Sequence, residues 1–153
     1  MPLRVFHQLQ RAHAGVFRAA DRRLKAEFGL TSAQQAILFH LAEEDGSPIS
    51  AIADALNMGK SSLTGLVDRM AARGLVRRAS DDADGRVIRI NLTPEGARRV
   101  RETATLTKAI NADLLAEFTH QEQAVIARFL SFLADDAGAL IEKGAASNTK
   151  QSA

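Results

Sequence analysis

The stretch from Pro48 to Leu92 constrains this chain most. It begins with apolar residues at helical spacing, Ile49, Ile52, Ala53 and Leu56. Ser50 stands where a helix N-cap is expected, its hydroxyl free to accept from an orphan backbone N–H. Asn57-Met58-Gly59 interrupts the pattern as a tight turn. A second stripe follows, Leu63, Leu66, Val67 and Met70 at i, i+3, i+4 and i+7, with Arg73 in the last turn and Gly74 just beyond. Two helices joined by a short glycine-containing turn form a helix-turn-helix.

The residues beyond it narrow the reading. Leu75 to Arg78 is short and extended in character, and Ser80 to Gly85 is dense in turn formers. From Arg86 to Leu92 the chain alternates, with Ile88, Ile90 and Leu92 on one face and Val87, Arg89 and Asn91 on the other, as in a half-buried strand. Helix, turn, helix and charged hairpin is the layout of a winged helix-turn-helix, the hairpin being the wing.

These residues resemble the MarR family of bacterial transcription regulators. Leu30-Thr31-x-x-Gln34 opens the helix before the helix-turn-helix, and Leu63-Thr64, Val67-Asp68-Arg69-Met70 and Arg73-Gly74-Leu75-Val76 lie in and after its second helix. Asp84-x-Arg86, followed after five residues by Leu92-Thr93, is similar to the family's wing signature. The resemblance extends over all but the last ten or so residues. One departure is Gly65, where many relatives carry a longer polar side chain towards DNA, so the family's base-reading role does not transfer to that position.

The flanking segments are helical by pattern. Residues 3–28 carry one stripe through Phe6, Leu9, Val16, Phe17, Ala20, Leu24 and Phe28, and Gly29 ends it. Thr31 with Gln34 forms a capping box for a helix ending near Glu44, and Asp45 to Pro48 reads as a turn. Thr93-Pro94 starts a helix bearing Val100, Ala104, Ile110, Leu114 and Phe118. Thr119 with Glu122 caps a last helix bearing Ile126, Phe129, Leu130, Leu133, Ala137, Leu140 and Ile141. The expected fold is mainly α with a small β-hairpin wing. A winged helix-turn-helix lobe spans 31–93, helical dimerisation regions span 3–28 and 94–142, and a flexible tail runs from 143 to 153. The outer helices carry more apolar surface than a winged helix covers, which marks an interface; the MarR resemblance implies a two-fold homodimer.

Composition excludes several functions. With no cysteine among 153 residues, there are no disulfides, no thiolate metal sites and no cysteine oxidation switch of the kind some MarR relatives use. No apolar run approaches a bilayer span, and Met1-Pro2-Leu3-Arg4 lacks a signal-peptide core, so a cytoplasmic protein with no membrane partner is expected. The four histidines, His7, His13, His40 and His120, form no close pair or HExxH, so no metal is expected. No glycine-rich phosphate loop, nucleophile elbow or paired carboxylates on a cleft scaffold are present. Neither an enzyme nor a cofactor is expected.

Charge distribution points to double-stranded DNA. From Lys60 to Arg101 there are ten Lys or Arg against five Asp or Glu, a net of +5, while the rest nets −3. Lys60, Ser61, Ser62, Thr64 and Arg69 lie off the apolar stripe of the second helix, on the face a major-groove reader presents. Arg86 leaves the hairpin turn, where the resemblance implies insertion into a minor groove with Asp84 orienting it. Arg77, Arg78 and Arg89 on the wing strands are candidate phosphate contacts. Asp68 is expected to hold an arginine, either Arg69 or one from the wing. His13, Phe17, Phe39 and His40 lie in the two helices that line the effector pocket of MarR relatives, and they are candidates for a small organic effector; core packing is the other reading. The expected function is a ligand-responsive repressor, dimeric on a pseudo-palindromic operator. The alternative is a winged-helix module that binds protein.

Overall fold

The structure, a computed structural model, describes residues 2–149. The helices are α1 (Val5–Phe28), α2 (Ser32–Glu43), α3 (Ile49–Ala55), α4 (Lys60–Ala72), α5 (Pro94–Leu115), α6 (His120–Asp135) and α7 (Ala137–Thr149). The strands are β1 (Ser47–Pro48), β2 (Val76–Ser80) and β3 (Ile88–Leu92). The chain forms two compact units that divide after Thr107, within α5.

In the first unit one core serves the helix-turn-helix and the wing. Leu30, Ile37, Leu38, Leu41, Ile52, Leu63, Val67, Met70 and Ile90 are completely buried, and Leu75 and Val76 nearly so. Fully burying a side chain of this size contributes roughly 1.5–3 kcal/mol. The expected stripes of α3 and α4 therefore supply the core, with Ile49, Leu56 and Leu66 packed at its edge. The capping box of α2 is present: Thr31 Oγ1 accepts from the Gln34 N–H and Gln34 Oε1 accepts from the Thr31 N–H. Asn57 takes the left-handed conformation that turns the chain from α3 to α4.

The wing belongs to a three-stranded antiparallel sheet of order β1-β3-β2. Ser47 pairs with Ile90 and Val76 with Leu92. The sequence reads 45–48 as a turn only. In the structure Ser47-Pro48 closes the sheet as a two-residue strand, too short for any alternation to show. Ser50 is corrected as well. Helix α3 begins at Ile49 with Pro48 in the extended N-cap position, so Ser50 lies inside the first turn, exposed and not capping.

The start of α5 is stitched to the end of the helix-turn-helix. The Thr93 hydroxyl accepts from the Gly96 N–H and points its own hydrogen at the Gly74 and Leu75 carbonyls, 2.6 and 2.9 Å away. A Cβ at Gly96 would lie 2.1 Å from the Leu75 carbonyl oxygen, so only glycine allows this approach. Further along α5 the buried residues are Thr103 and Leu106, and Ala104 of the expected stripe is exposed. Thr103 satisfies its hydroxyl by donating to the Arg99 carbonyl.

In the second unit the Thr119–Glu122 capping box opens α6 as expected. The single last helix does not form. It breaks at Asp136, and a separate α7 follows, packed on α6. No residue of α6 is fully buried. The tail expected from 143 is helical as far as Thr149, and residues 150–153 lie outside the described residues. Among the described residues no helix is long and apolar enough to cross a membrane.

Candidate nucleic-acid interface

Burial of Leu63, Val67 and Met70 fixes the orientation of α4. It leaves Lys60, Ser61, Ser62, Asp68 and Arg69 exposed together, with Thr64 half-buried between them. The Thr64 hydroxyl donates to the Lys60 carbonyl, 2.8 Å away. Gly59, the N-cap of α4, offers no side-chain acceptor to the first-turn N–H groups. Those orphan donors, the helix dipole and Lys60 together make the start of α4 attractive to an anion.

The wing tip is a set of local hydrogen bonds. Asp81 Oδ1 accepts from the N–H groups of Ala83 and Asp84, and Oδ2 pairs with Arg89. The Ala83 N–H, and then the Arg89 guanidinium, hold the Asp81 carboxyl below its usual value. Asp84 Oδ1 accepts from the Arg86 N–H at 3.0 Å and stands 3.8 Å from Arg86 Nε. The Arg86 side chain is 97% exposed. Arg86 and Lys60 meet across one hollow of about 290 Å³, lined also by Pro48, Ile49, Ser50, Val87 and Ile88. The wing and the start of α4 therefore present their cations to one concave surface.

The structure separates the basic residues of 60–101 into committed and available groups. Arg78 donates to Asp68, which settles the open choice for that aspartate in favour of a wing arginine. Arg89 pairs with Asp81 and donates to the Gly46 carbonyl at 3.0 Å, so it braces the wing against the turn before β1. Arg98 and Arg99 pair with Glu95 and Glu102 on α5. Arg73 donates to the Gly29 carbonyl at 2.6 Å, joining the end of α4 to the corner between α1 and α2. The sequence reading marks Arg73 only as a helix-end signal; its partner lies 44 residues away, beyond any local pattern. Among the described residues from 60 to 101, Lys60, Arg69, Arg77 and Arg101 have no acidic partner. With Arg86 they are the cations of this stretch that remain for DNA. Two of the candidate phosphate contacts are thus held by carboxylates, Arg78 by Asp68 of α4 and Arg89 by Asp81 of the wing, while Arg77 is exposed on β2.

The four effector candidates lie in two places. His13 and Phe17 stack one turn apart on exposed α1, ring centroids 4.6 Å apart. His40 and Phe39 are half-buried on α2. Ser47 donates its hydroxyl hydrogen to the Glu44 carbonyl, which leaves the Ser47 oxygen to accept from Nε2 of His40 at 3.2 Å. His40 thereby ties α2 to β1. Among the described residues no three His, Cys, Asp or Glu side chains cluster as a metal-ion site.

Comparison with known proteins agrees with this geometry. The model of a family described as the MarR family matches residues 28–87. An HTH-type transcriptional regulator of Bacillus subtilis, YsmB, is 32% identical over 117 residues, covering 76% of this chain and 80% of its own. The HTH-type transcriptional repressor MdtR of the same organism is 32% identical over 109 residues, 71% of this chain and 70% of its own. Among solved structures, BpsR of Bordetella bronchiseptica superposes with a TM-score of 0.77 at 25% identity, over 87% of this chain and 100% of that one. That structure concerns regulation of BpsR's DNA binding by 6-hydroxynicotinic acid.

Proposed function

The chain belongs to the MarR family of transcription regulators, and from that premise we propose that two copies bind one DNA duplex as a ligand-responsive repressor. Each copy lays α4 in a major groove and sets Arg86 at the neighbouring minor groove. The two α4 helices then address successive major grooves about 34–36 Å apart, on a pseudo-palindromic operator. The observation that carries the reading is the placement of the exposed cations. Lys60 and Arg86 line one hollow, and Arg69 is exposed on the outward face of α4. Among the described residues Lys60 carries no ion pair, and Arg86 keeps only a 3.8 Å approach to Asp84 with its side chain 97% exposed, so both can turn to phosphates at little cost.

The second copy follows from the helices outside the winged lobe. On α1, Phe6 is 70% exposed, and in the second unit Leu130 and Ile141 are 55% and 64% exposed. Apolar surface on this scale marks an interface. BpsR and MdtR support the response: DNA binding in one is regulated by a small aromatic acid, and the other is a repressor. We assign the effector of this chain to the class of small organic molecules. It acts by favouring a lobe spacing that no longer fits the operator.

Selection of bound DNA from a random duplex pool tests the reading. An enriched pseudo-palindrome with half-sites about one helical turn apart is the expected result. Failure to enrich any sequence, with binding insensitive to salt, would place the chain among protein-binding winged helices instead.

A further inference from the structure

Gly65 and Arg69 of α4 share one patch of helix surface. A Cβ built on Gly65 would lie 3.5 Å from Nη1 of Arg69. Arg69 thus folds back along its own helix, the direction in which helical side chains lean. Its guanidinium lies over the turn at residue 65, about 6 Å nearer the start of α4 than its own Cα. A methyl at 65 would be in ordinary contact; a longer side chain would compete for the same space. Asp68, the adjacent carboxylate, is taken by Arg78, so among the described residues no acid holds Arg69 in place.

The early turns of a recognition helix are the ones that meet base edges. A flat guanidinium there matches the O6 and N7 acceptors of guanine, which it engages through two parallel hydrogen bonds. We propose that Arg69 reads a guanine in each half-site, and that Gly65 permits this by leaving its patch of helix bare. The surface left bare by the glycine thereby admits a base contact from the turn below. This assignment rests on the DNA-binding reading above and adds to it one residue, one base and one enabling glycine.

The test uses the full-length chain and the duplex selected from the random pool. Wild type, Arg69→Ala and Gly65→Gln are titrated against that duplex and against a set with each base pair changed in turn. Both variants are first checked for unchanged circular dichroism and unchanged mass in solution. Arg69 is exposed, and a Cβ at Gly65 meets no atom closer than Arg69 Nη1 at 3.5 Å, so neither property should move. The expected result is one G·C pair per half-site whose change weakens wild type by roughly tenfold or more. The same change leaves Arg69→Ala indifferent. Gly65→Gln loses the same preference, although its arginine is intact, because the new side chain takes the surface on which Arg69 lies. Arg69→Ala binding weaker by one factor on every duplex, with a shallower salt dependence, would make Arg69 a phosphate contact and overturn the assignment. Retention of the guanine preference by Gly65→Gln would overturn the role of the glycine. Should wild type select no sequence at all, the DNA-binding reading itself fails, an outcome distinct from both.

Discussion

The winged lobe and the last two helices solve the problem of apolar surface differently. In the lobe, Leu38 on α2, Leu63 on α4 and Ile90 on β3 reach zero exposure against one another. In α6 no side chain is fully buried, and Phe129, Leu130 and Phe132 keep 41%, 55% and 40% of their surface. The two regions have similarly apolar stripes, so composition does not separate them. The lobe folds three directions of chain around its stripe, whereas α6 meets α7 and leaves much of its apolar side uncovered. Local pattern says which face of a helix is greasy; only the fold says whether the chain itself covers it.

Substitutions can break that contrast or sharpen it. The largest expected effect is Ile37→Ala. The residue is completely buried, so the cavity and lost transfer energy should cost about 2–5 kcal/mol in a denaturant titration. A much smaller loss would show that the lobe core is looser than its burial implies. Next comes Leu130→Glu on α6. Within one copy this half-exposed position tolerates a charge, so the lobe should keep its helical signal. At a copy–copy interface the same carboxylate is buried unpaired, and the mass in solution should fall to that of one chain. DNA affinity should then drop by on the order of 100-fold, since two linked half-site contacts become one.

Arg86→Ala is expected to act more weakly and only on binding. Its side chain touches no core residue, so circular dichroism should not change. The log–log salt slope should fall by about 0.9 for each phosphate that the guanidinium no longer neutralises. The drop in affinity should be greatest where the wing meets A·T-rich flanks, because a narrow minor groove concentrates negative potential. Equal drops on A·T- and G·C-rich flanks would reduce the wing to general electrostatics.

Asp81→Asn is the smallest. Its carboxyl is lowered from 3.8 in the folded chain, so it contributes stability above that value. The contribution is lost as pH falls through the lower folded value. The asparagine keeps an acceptor for the Ala83 N–H but not the charge facing Arg89. Wild-type melting temperature should therefore fall more steeply than that of the variant below pH 3.8. Parallel curves would remove Asp81 from the wing's pH response.

Much of the site was legible because its signals are local. The capping boxes Thr31–Gln34 and Thr119–Glu122, the α4 stripe and the alternation of β3 all lie within a few residues. The departures have equally physical reasons. Ser47-Pro48 is too short to alternate. The stripe runs on through Ala137, Leu140 and Ile141 with no proline at the break, so apolar periodicity alone does not mark the end of α6 at Asp135; Asp136 and Gly138 are its local signals. Ser50 is too late to cap, because Pro48 already provides the extended backbone before α3. The sequence counts charges but does not pair them. That Arg78 belongs to Asp68, Arg89 to Asp81 and Arg73 to the Gly29 carbonyl follows from the hairpin fold and the helix crossings. The cations free for DNA emerge only once those pairs are removed.

The contrast between a self-sufficient lobe and helices that need a second copy is tested most directly by mass in solution. Size-exclusion chromatography with light scattering at micromolar concentration should give twice the 16.5 kDa chain mass. A single species of 16.5 kDa at that concentration would contradict the account, leaving the exposed apolar faces of α1 and α6 without a second copy to cover them.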